Sequence, residues 1–250
     1  MTEKKYDFRK QLYDAYVTTF KNYISNENNY SNESLFAGYK KRYLKYLSGF
    51  SKNASVIDIG CGNGLLLQFL YKEGFNNLYG IDISDEQINI ARSRGLNADS
   101  YDVFSFLTEH KKKYDIVFAM DVIEHLYKKE LFDFFRGIHS ILNENGLLII
   151  QTPNGDGISP NHIIYGDLTH LTIFNPNSLS QILRLVGFDE INSFETGPTT
   201  KGFLSTIRLI LWKIIRVIFM AVRIIETGGS EKILTQDFTC TARKRKPDNK

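Results

Sequence analysis

Three glycines alternating within five residues, Gly60, Gly62 and Gly64, constrain this chain more than any other feature. Ahead of them runs Ser55-Val56-Ile57-Asp58-Ile59, β-branched and apolar around one acid. Behind them comes a leucine-rich helical run, Leu65 to Leu70. The order is strand, tight turn, helix N-terminus. A backbone that turns sharply and lets a ligand come close needs residues without a Cβ. The helix that starts there adds unpaired N–H groups and a partial positive charge. A G-x-G-x-x-G turn cradles a dinucleotide pyrophosphate; here the spacing is G-x-G-x-G, with Asp58 on the strand before it.

The segment Asn77-Leu78-Tyr79-Gly80-Ile81-Asp82-Ile83 reads as the next strand and ends in an acid. Asp82 falls 20 residues after Gly62, where the acid of a βαβ unit accepts from both hydroxyls of a ribose. Ser84-Asp85-Glu86-Gln87 has the form of a capping box opening the next helix.

The glycine turn, with Asp58 before it and Asp82 after it, resembles motif I and its following acid in the class I S-adenosylmethionine-dependent methyltransferases. Asp102-Val103, ahead of Phe104-Ser105-Phe106-Leu107, resembles the third motif of that family, an acid near the adenine, with Asp99 competing for the role. Tyr114 to Leu126 closely resembles the fourth. Its ending, Asp121-Val122-Ile123-Glu124-His125-Leu126, is similar to small-molecule methyltransferases of the ubiquinone-biosynthesis and glycan-modifying type. Four motifs in order, across about residues 35 to 195, carry the resemblance. It implies an α/β fold: a doubly wound, mostly parallel sheet of seven strands, helices on both faces, last strand antiparallel. It also implies S-adenosyl-L-methionine as cofactor, held by Asp58, Gly60, Cys61, Gly62, Asn63, Gly64, Asp82, Ile83, Asp102, Val103 and Met120.

A length of 250 residues with 42% apolar content suits one large domain or a domain with an appended cap. We expect an N-terminal helical cap over residues 1–50 and a methyltransferase domain over 51–250. The cap carries helical stretches around Arg9–Phe20 and Leu35–Leu47, with an Asn-rich loop, Ser25–Asn32, between them. Arg42 is either a ligand of the cofactor's methionine carboxylate or a solvated helix residue. A net charge of +3 gives no argument for nucleic acid, and none is expected as a partner. Two cysteines, Cys61 and Cys240, give neither metal spacing nor a disulfide framework, so no metal is expected. The polar N-terminus has no apolar run of a signal peptide, which leads to a cytoplasmic expectation.

Leu131–Leu142 reads as an amphipathic helix and Gly146–Thr152 as the fifth strand. Asn175-Pro176 starts a helix that ends at Gly187; Phe188–Glu195 is the sixth strand and Ile233–Ala242, alternating imperfectly, the seventh. Between fifth strand and helix lies a long loop holding Asn154, Asp156, His162, Tyr165, Asp167 and His170. A loop of that length is functional or disordered, and its aromatic content favours a substrate loop. Tyr165 through Phe174 is similar to a branch that methylates sugars in surface-glycan biosynthesis. The resulting expectation is transfer to a hydroxyl of a sugar or nucleotide sugar. The rivals are a quinone- or lipid-precursor O-methyltransferase, a non-catalytic nucleotide-binding subunit and a dehydrogenase. A hydroxyl benefits from a base, and imidazole titrates near neutrality. His170 is named as that base, with Asp167 either to orient a histidine or to bind a sugar hydroxyl, and His125 as runner-up. Glu124, Asn154, His162 and Tyr165 are expected to bind substrate.

Phe203–Ile225 is strongly apolar, with Arg208, Lys213, Arg216 and Arg223 on one face. Its longest uninterrupted apolar run is Val217 to Val222, too short to span a bilayer. The expectations for it are peripheral contact with the inner membrane face, homodimer formation, or packing on its own domain.

Overall fold

The computed structural model describes residues 12, 32–200 and 202–245. The helix expected over Arg9–Phe20 lies outside them apart from Leu12, as does the loop expected over Ser25–Asn32 apart from Asn32. In chain order the elements are α1 Asn32–Leu47, β1 Ser55–Ile59, α2 Leu65–Lys72, β2 Asn77–Asp82, α3 Asp85–Ser93, β3 Ala98–Ser100, α4 Val103–Glu109 and β4 Tyr114–Met120. A 3-10 turn follows at Ile123–His125. Then come α5 Leu131–Ile141, β5 Leu142–Pro153, α6 Asn161–Gly166, α7 Pro176–Val186, β6 Phe188–Glu195, α8 Phe203–Thr227 and β7 Asp237–Lys244.

The seven strands form one sheet in the order β3-β2-β1-β4-β5-β7-β6. β1 pairs in parallel with β2 and β4, β2 with β3, and β4 with β5; β7 runs antiparallel to both β5 and β6. The chain winds outward from β1 to β3, then returns to β4 on the other side of β1. Open α/β sheets bind ligands at the carboxyl ends of the strands beside such a reversal.

Helices cover both faces, so successive strand residues go alternately into two cores. Val56, Ile116, Phe118 and Ile149 pack with Tyr43 and Leu47 of α1 and Phe69 of α2. Ile57, Val117, Leu148 and Ile150 pack with Phe134, Phe135 and Ile138 of α5 and Leu183 of α7. Ser84 caps α3 by accepting from the Gln87 amide, and Asn175 caps α7 with Pro176 next and Gly187 closing it.

Three sequence expectations change. The seventh strand starts at Asp237, because the segment before it is held elsewhere. The Asn154 side chain donates to the carbonyls of Ile233 and Thr235 at 3.0 and 2.9 Å, in place of a strand ladder. β5 begins at Leu142, earlier than expected, through an irregular start where Asn145 takes a left-handed φ of 60°. The long loop contains a short helix, α6, whose own Ile164 is buried.

α8 stands apart: none of its 25 residues is buried. Its half-buried residues, Ser205, Leu209, Trp212, Arg216, Met220 and Arg223, recur every three or four positions and form the stripe turned toward the domain. The basic face is therefore divided. Arg216 reaches Glu195 at 3.4 Å and Arg223 reaches Glu231 at 3.5 Å, while Arg208 and Lys213 stay exposed. Among the described residues no helix is long and apolar enough to cross a membrane.

The glycine turn supplies a test of the fold. Gly64 has φ +79°, and a Cβ there would lie 2.4 Å from Leu96 Cδ1 and 3.2 Å from the Ala91 Cβ. Gly64→Ala is expected to lose about 1–3 kcal/mol from backbone strain alone, read as a lower denaturant midpoint. An unchanged midpoint contradicts this geometry.

Candidate active site

The turn after β1 is fastened to the exit of β2. The amides of Gly60 and Cys61 both donate to the Ile81 carbonyl, at 2.8 and 2.9 Å. The Gly62 amide donates to Asp82 Oδ2 at 2.8 Å, and the Ser84 amide to Asp82 Oδ1 at 2.9 Å. Gly60 holds φ +72°, and a Cβ on it would sit 2.5 Å from Val122 Cγ2. The carboxylate of Asp82 is thus fixed at the strand's end while remaining half-buried. Ile83, 54% exposed, follows as an apolar surface beside it. Cys61 is buried and unoxidised, and the Asn63 carbonyl accepts from Arg94.

Asp58 is 2% exposed, and its Oδ1 has no hydrogen-bond partner among the described residues. Burial, then the nearby Asp82 charge, raises its carboxyl well above the usual range. Asp102 caps α4 by accepting from the Ser105 amide, and Val103 packs against the core. The competing Asp99 is taken by the Tyr79 hydroxyl and by Arg92.

β4 leaves the sheet at Met120, half-buried, and Asp121 takes a left-handed φ of 54°. Gln151 bridges there: it accepts from the Tyr43 hydroxyl at 2.6 Å and donates to the Asp121 carboxylate at 3.1 Å. Asp237 stands nearby. Burial, with the Asp121 charge second, pushes its carboxyl up to about 7.

The next residues form a cluster of titratable groups. Glu124 is 1% exposed; Oε2 accepts from the Thr152 hydroxyl at 3.0 Å, while Oε1 is shielded and has no partner among the described residues. Burial, then Asp121, raises its carboxyl well above the ordinary range. Its backbone carbonyl accepts from the amides of Leu171 and Thr172, which draws the loop onto the 3-10 turn. His125 and His170 consequently lie with ring centroids 4.9 Å apart. One ligand atom each from Glu124, His125 and His170 falls within 4.8 Å of the others, an arrangement that could hold a metal ion. The sequence offered no metal spacing because His170 reaches the adjacent pair Glu124-His125 only through the fold.

Asp167, expected to orient His170, turns its Oδ1 to Thr169. Its carboxylate accepts from the Thr169 amide at 2.8 Å and the Thr169 hydroxyl at 2.6 Å, and that hydroxyl meets His125 Nδ1 at 2.9 Å. The Thr169 hydroxyl spends its proton on Asp167, so it accepts from His125, which assigns the imidazole proton to Nδ1. His170 Nδ1 is shielded and has no partner among the described residues. Burial, followed by His170, lowers His125 to about 4. Asn154, expected to bind substrate, is 0% exposed and clamps the segment before β7. His162 and Tyr165 sit exposed on α6, outside the Glu124–His125–His170 cluster.

Four residues of the site escaped the sequence: Thr169, Tyr43, Gln151 and Asp237. Gln151 left a trace, being polar at the end of the apolar run Leu147–Ile150, where a carboxyl-edge residue faces ligand.

Asp237 gives a pH test. Its folded value, about 7, lies above the ordinary 3.8, so the folded chain holds this proton more tightly than the unfolded chain. The contribution to stability is complete below about pH 4 and is lost as pH rises toward 7. Asp237→Asn is expected to flatten that part of the stability profile between pH 4 and 7, measured by urea denaturation. A slope equal to the parent's would contradict the assignment.

Comparison with known proteins agrees with this fold. An Archaeoglobus fulgidus protein, a SAM-dependent methyltransferase by its description, superposes with a TM-score of 0.68 at 23% identity over 90% of this chain and all of that one. The Synechocystis magnesium protoporphyrin IX methyltransferase, solved with bound SAM, gives 0.58 at 17% identity over 94% and 96%. In sequence, a ubiquinone biosynthesis O-methyltransferase of Pelagibacter ubique is 31% identical over 107 residues, 41% of this chain and 43% of that protein. Its namesake from Azorhizobium caulinodans is 31% identical over 122 residues, 47% and 46% respectively. The chain spans less than half the length of these relatives. A family model described as a methyltransferase domain matches residues 32–192, and the chain belongs to that family.

Proposed function

We propose that this methyltransferase moves the methyl group of S-adenosylmethionine to a hydroxyl of an amphiphilic acceptor, a quinone or lipid precursor. The observation that carries it is the pairing of a glycine cradle and Asp82 with the cluster of buried Glu124 and half-buried His125 and His170 on one carboxyl edge. The cofactor fits the residues present. Asp58 Oδ1 is a buried acceptor awaiting a donor, which an ammonium group supplies, and the left-handed turn keeps Cβ atoms out of the way. When bound, the cofactor brings an electrophilic methyl on sulfur. The chain's own residues align the acceptor for in-line attack and receive its proton. His170 and His125 are the proton acceptors at hand. A divalent cation on the same three residues is the second reading, favoured by the unpartnered Glu124 Oε1 and His170 Nδ1.

Two features support a quinone or lipid precursor. The relatives above carry ubiquinone biosynthesis in their names. On α8, thirteen large apolar side chains are 37–86% exposed. The uncharged arc between Lys213 and Arg208 spans roughly 200° of the helix. A partner helix covers a stripe of only ~100°, so a second copy of α8 would leave half this surface in water. A membrane surface covers all of it, with Arg208 and Lys213 at lipid phosphates. The sugar hydroxyl rests on the Tyr165–Phe174 loop alone.

Labelled methyl transfer to polyprenyl phenols and catechols, set against nucleotide sugars, tests the acceptor. Transfer is expected to the former, and transfer only to the latter overturns it. His170→Ala is expected to lower kcat about 10²-fold or more with cofactor affinity retained. Near-normal turnover moves the role to His125.

The full chain is expected to float with vesicles of one part phosphatidylglycerol to three parts phosphatidylcholine. Ile214→Asp with Ile218→Asp, at the centre of the apolar arc, should abolish flotation. A stable dimer that ignores these vesicles would refute membrane contact.

A further inference from the structure

Beneath α8 lies a cavity of about 190 Å³, walled by α1, the adjoining ends of β6 and β7, and the inward stripe of α8. Five cations line it, Lys41, Arg42, Lys45, Lys213 and Arg216, against a single carboxylate, Glu195. Glu195 is already engaged: Oε2 lies 3.4 Å from Arg216, and Oε1 accepts from the Leu234 amide at 3.1 Å. Lys41 donates to the Pro198 carbonyl and Lys45 lies over the rings of Tyr46 and Phe194, so neither meets a carboxylate among the described residues, while Arg42 lies over Tyr39 and Tyr43 within the field of Asp237.

The lining also carries unpaired donors. Arg42 Nε, Tyr46 Oη, Trp212 Nε1, Arg216 Nε and Thr239 Oγ1 are all shielded from solvent and have no hydrogen-bond partner among the described residues. They are half of all such atoms among the described residues and come from α1, α8 and β7. The arginine Nε–H and indole N–H groups can only donate. Shielded donors without acceptors carry a desolvation cost, which a ligand oxygen removes once these side chains turn into the cavity. Water would serve single donors but leaves the charge excess. An anion with several oxygens answers both, and phosphate is the anion that forked guanidinium groups and N–H donors match.

We propose that this cavity is a phosphate-binding subsite. It takes the phosphate of a lipid headgroup or a free phosphate compound. The inference rests on the cavity's own donors and charge and does not require the methyl acceptor to be known. A lipid phosphate is favoured by position, since the cavity lies directly under the helix whose other side is apolar.

Calorimetry on the full chain tests it, with inorganic pyrophosphate and with monomeric dihexanoyl phosphatidylglycerol as probes. Saturable one-site binding of at least one probe is expected. Pyrophosphate alone identifies a free phosphate, and the lipid alone identifies a headgroup. Tyr46→Phe combined with Trp212→Phe, which removes two donors and retains aromatic packing, should weaken binding about tenfold or more. The unliganded double variant should melt no lower than the parent on account of the lost donors, because those donors pair with nothing in the free protein. Arg216→Gln is read the same way should the double variant not fold. Absence of saturable binding of both probes, or an unchanged Kd in the variants, overturns the proposal. Phosphate binding by a preparation that does not bind S-adenosylmethionine supports the subsite and separates it from the methyl-transfer reading.

Discussion

The hydrogen bond from the Gly62 amide to the Asp82 carboxylate, 2.8 Å long, joins the exits of the two strands on which the site depends. It forms because Gly60, Gly62 and Gly64 all take left-handed φ, which folds the turn back over β2 instead of into the next helix. With Gly60 and Cys61 both donating to Ile81, the cradle and the acid become one rigid unit. The helix that follows starts with Gly64 against Ala91 and Leu96, so the turn is also packed from behind.

Around that unit the carboxyl edge collects acids that the fold holds in an unusual state. Asp58, Glu124 and Asp237 are each raised by burial first and by a neighbouring carboxylate second. Buried like charges favour protons, or a cation that replaces them. Such an edge suits a ligand bearing an ammonium and a sulfonium centre. Perturbed groups gather where chemistry is done, and here they coincide with the topological reversal between β1 and β4. The Asp167–Thr169–His125 chain adds a neutral imidazole of defined tautomer beside His170.

Much of this was readable in the residues. The glycine turn, Asp82, the Ser84 cap, Pro176 and Gly187 act through local geometry, and β6 was placed to the residue. What sequence reasoning missed depends on contacts across the fold. Asp167 stands three residues before His170, yet its carboxylate turns to Thr169, because Glu124 pulls the loop down through two amides. Asn154 follows a strand exit as a ligand residue would, but the segment before β7 claims its side chain. The outward direction of the apolar side of α8 was likewise invisible until Arg216 met Glu195.

Diffraction from crystals of the full chain grown with S-adenosylhomocysteine tests the central claim most directly. The account predicts density along the carboxyl edge of β1, β2 and β4, with the ribose hydroxyls on Asp82, the amino group toward Asp58 and the sulfur facing the Glu124–His125–His170 cluster. Density elsewhere, or a crevice that stays empty at saturating ligand, would contradict it.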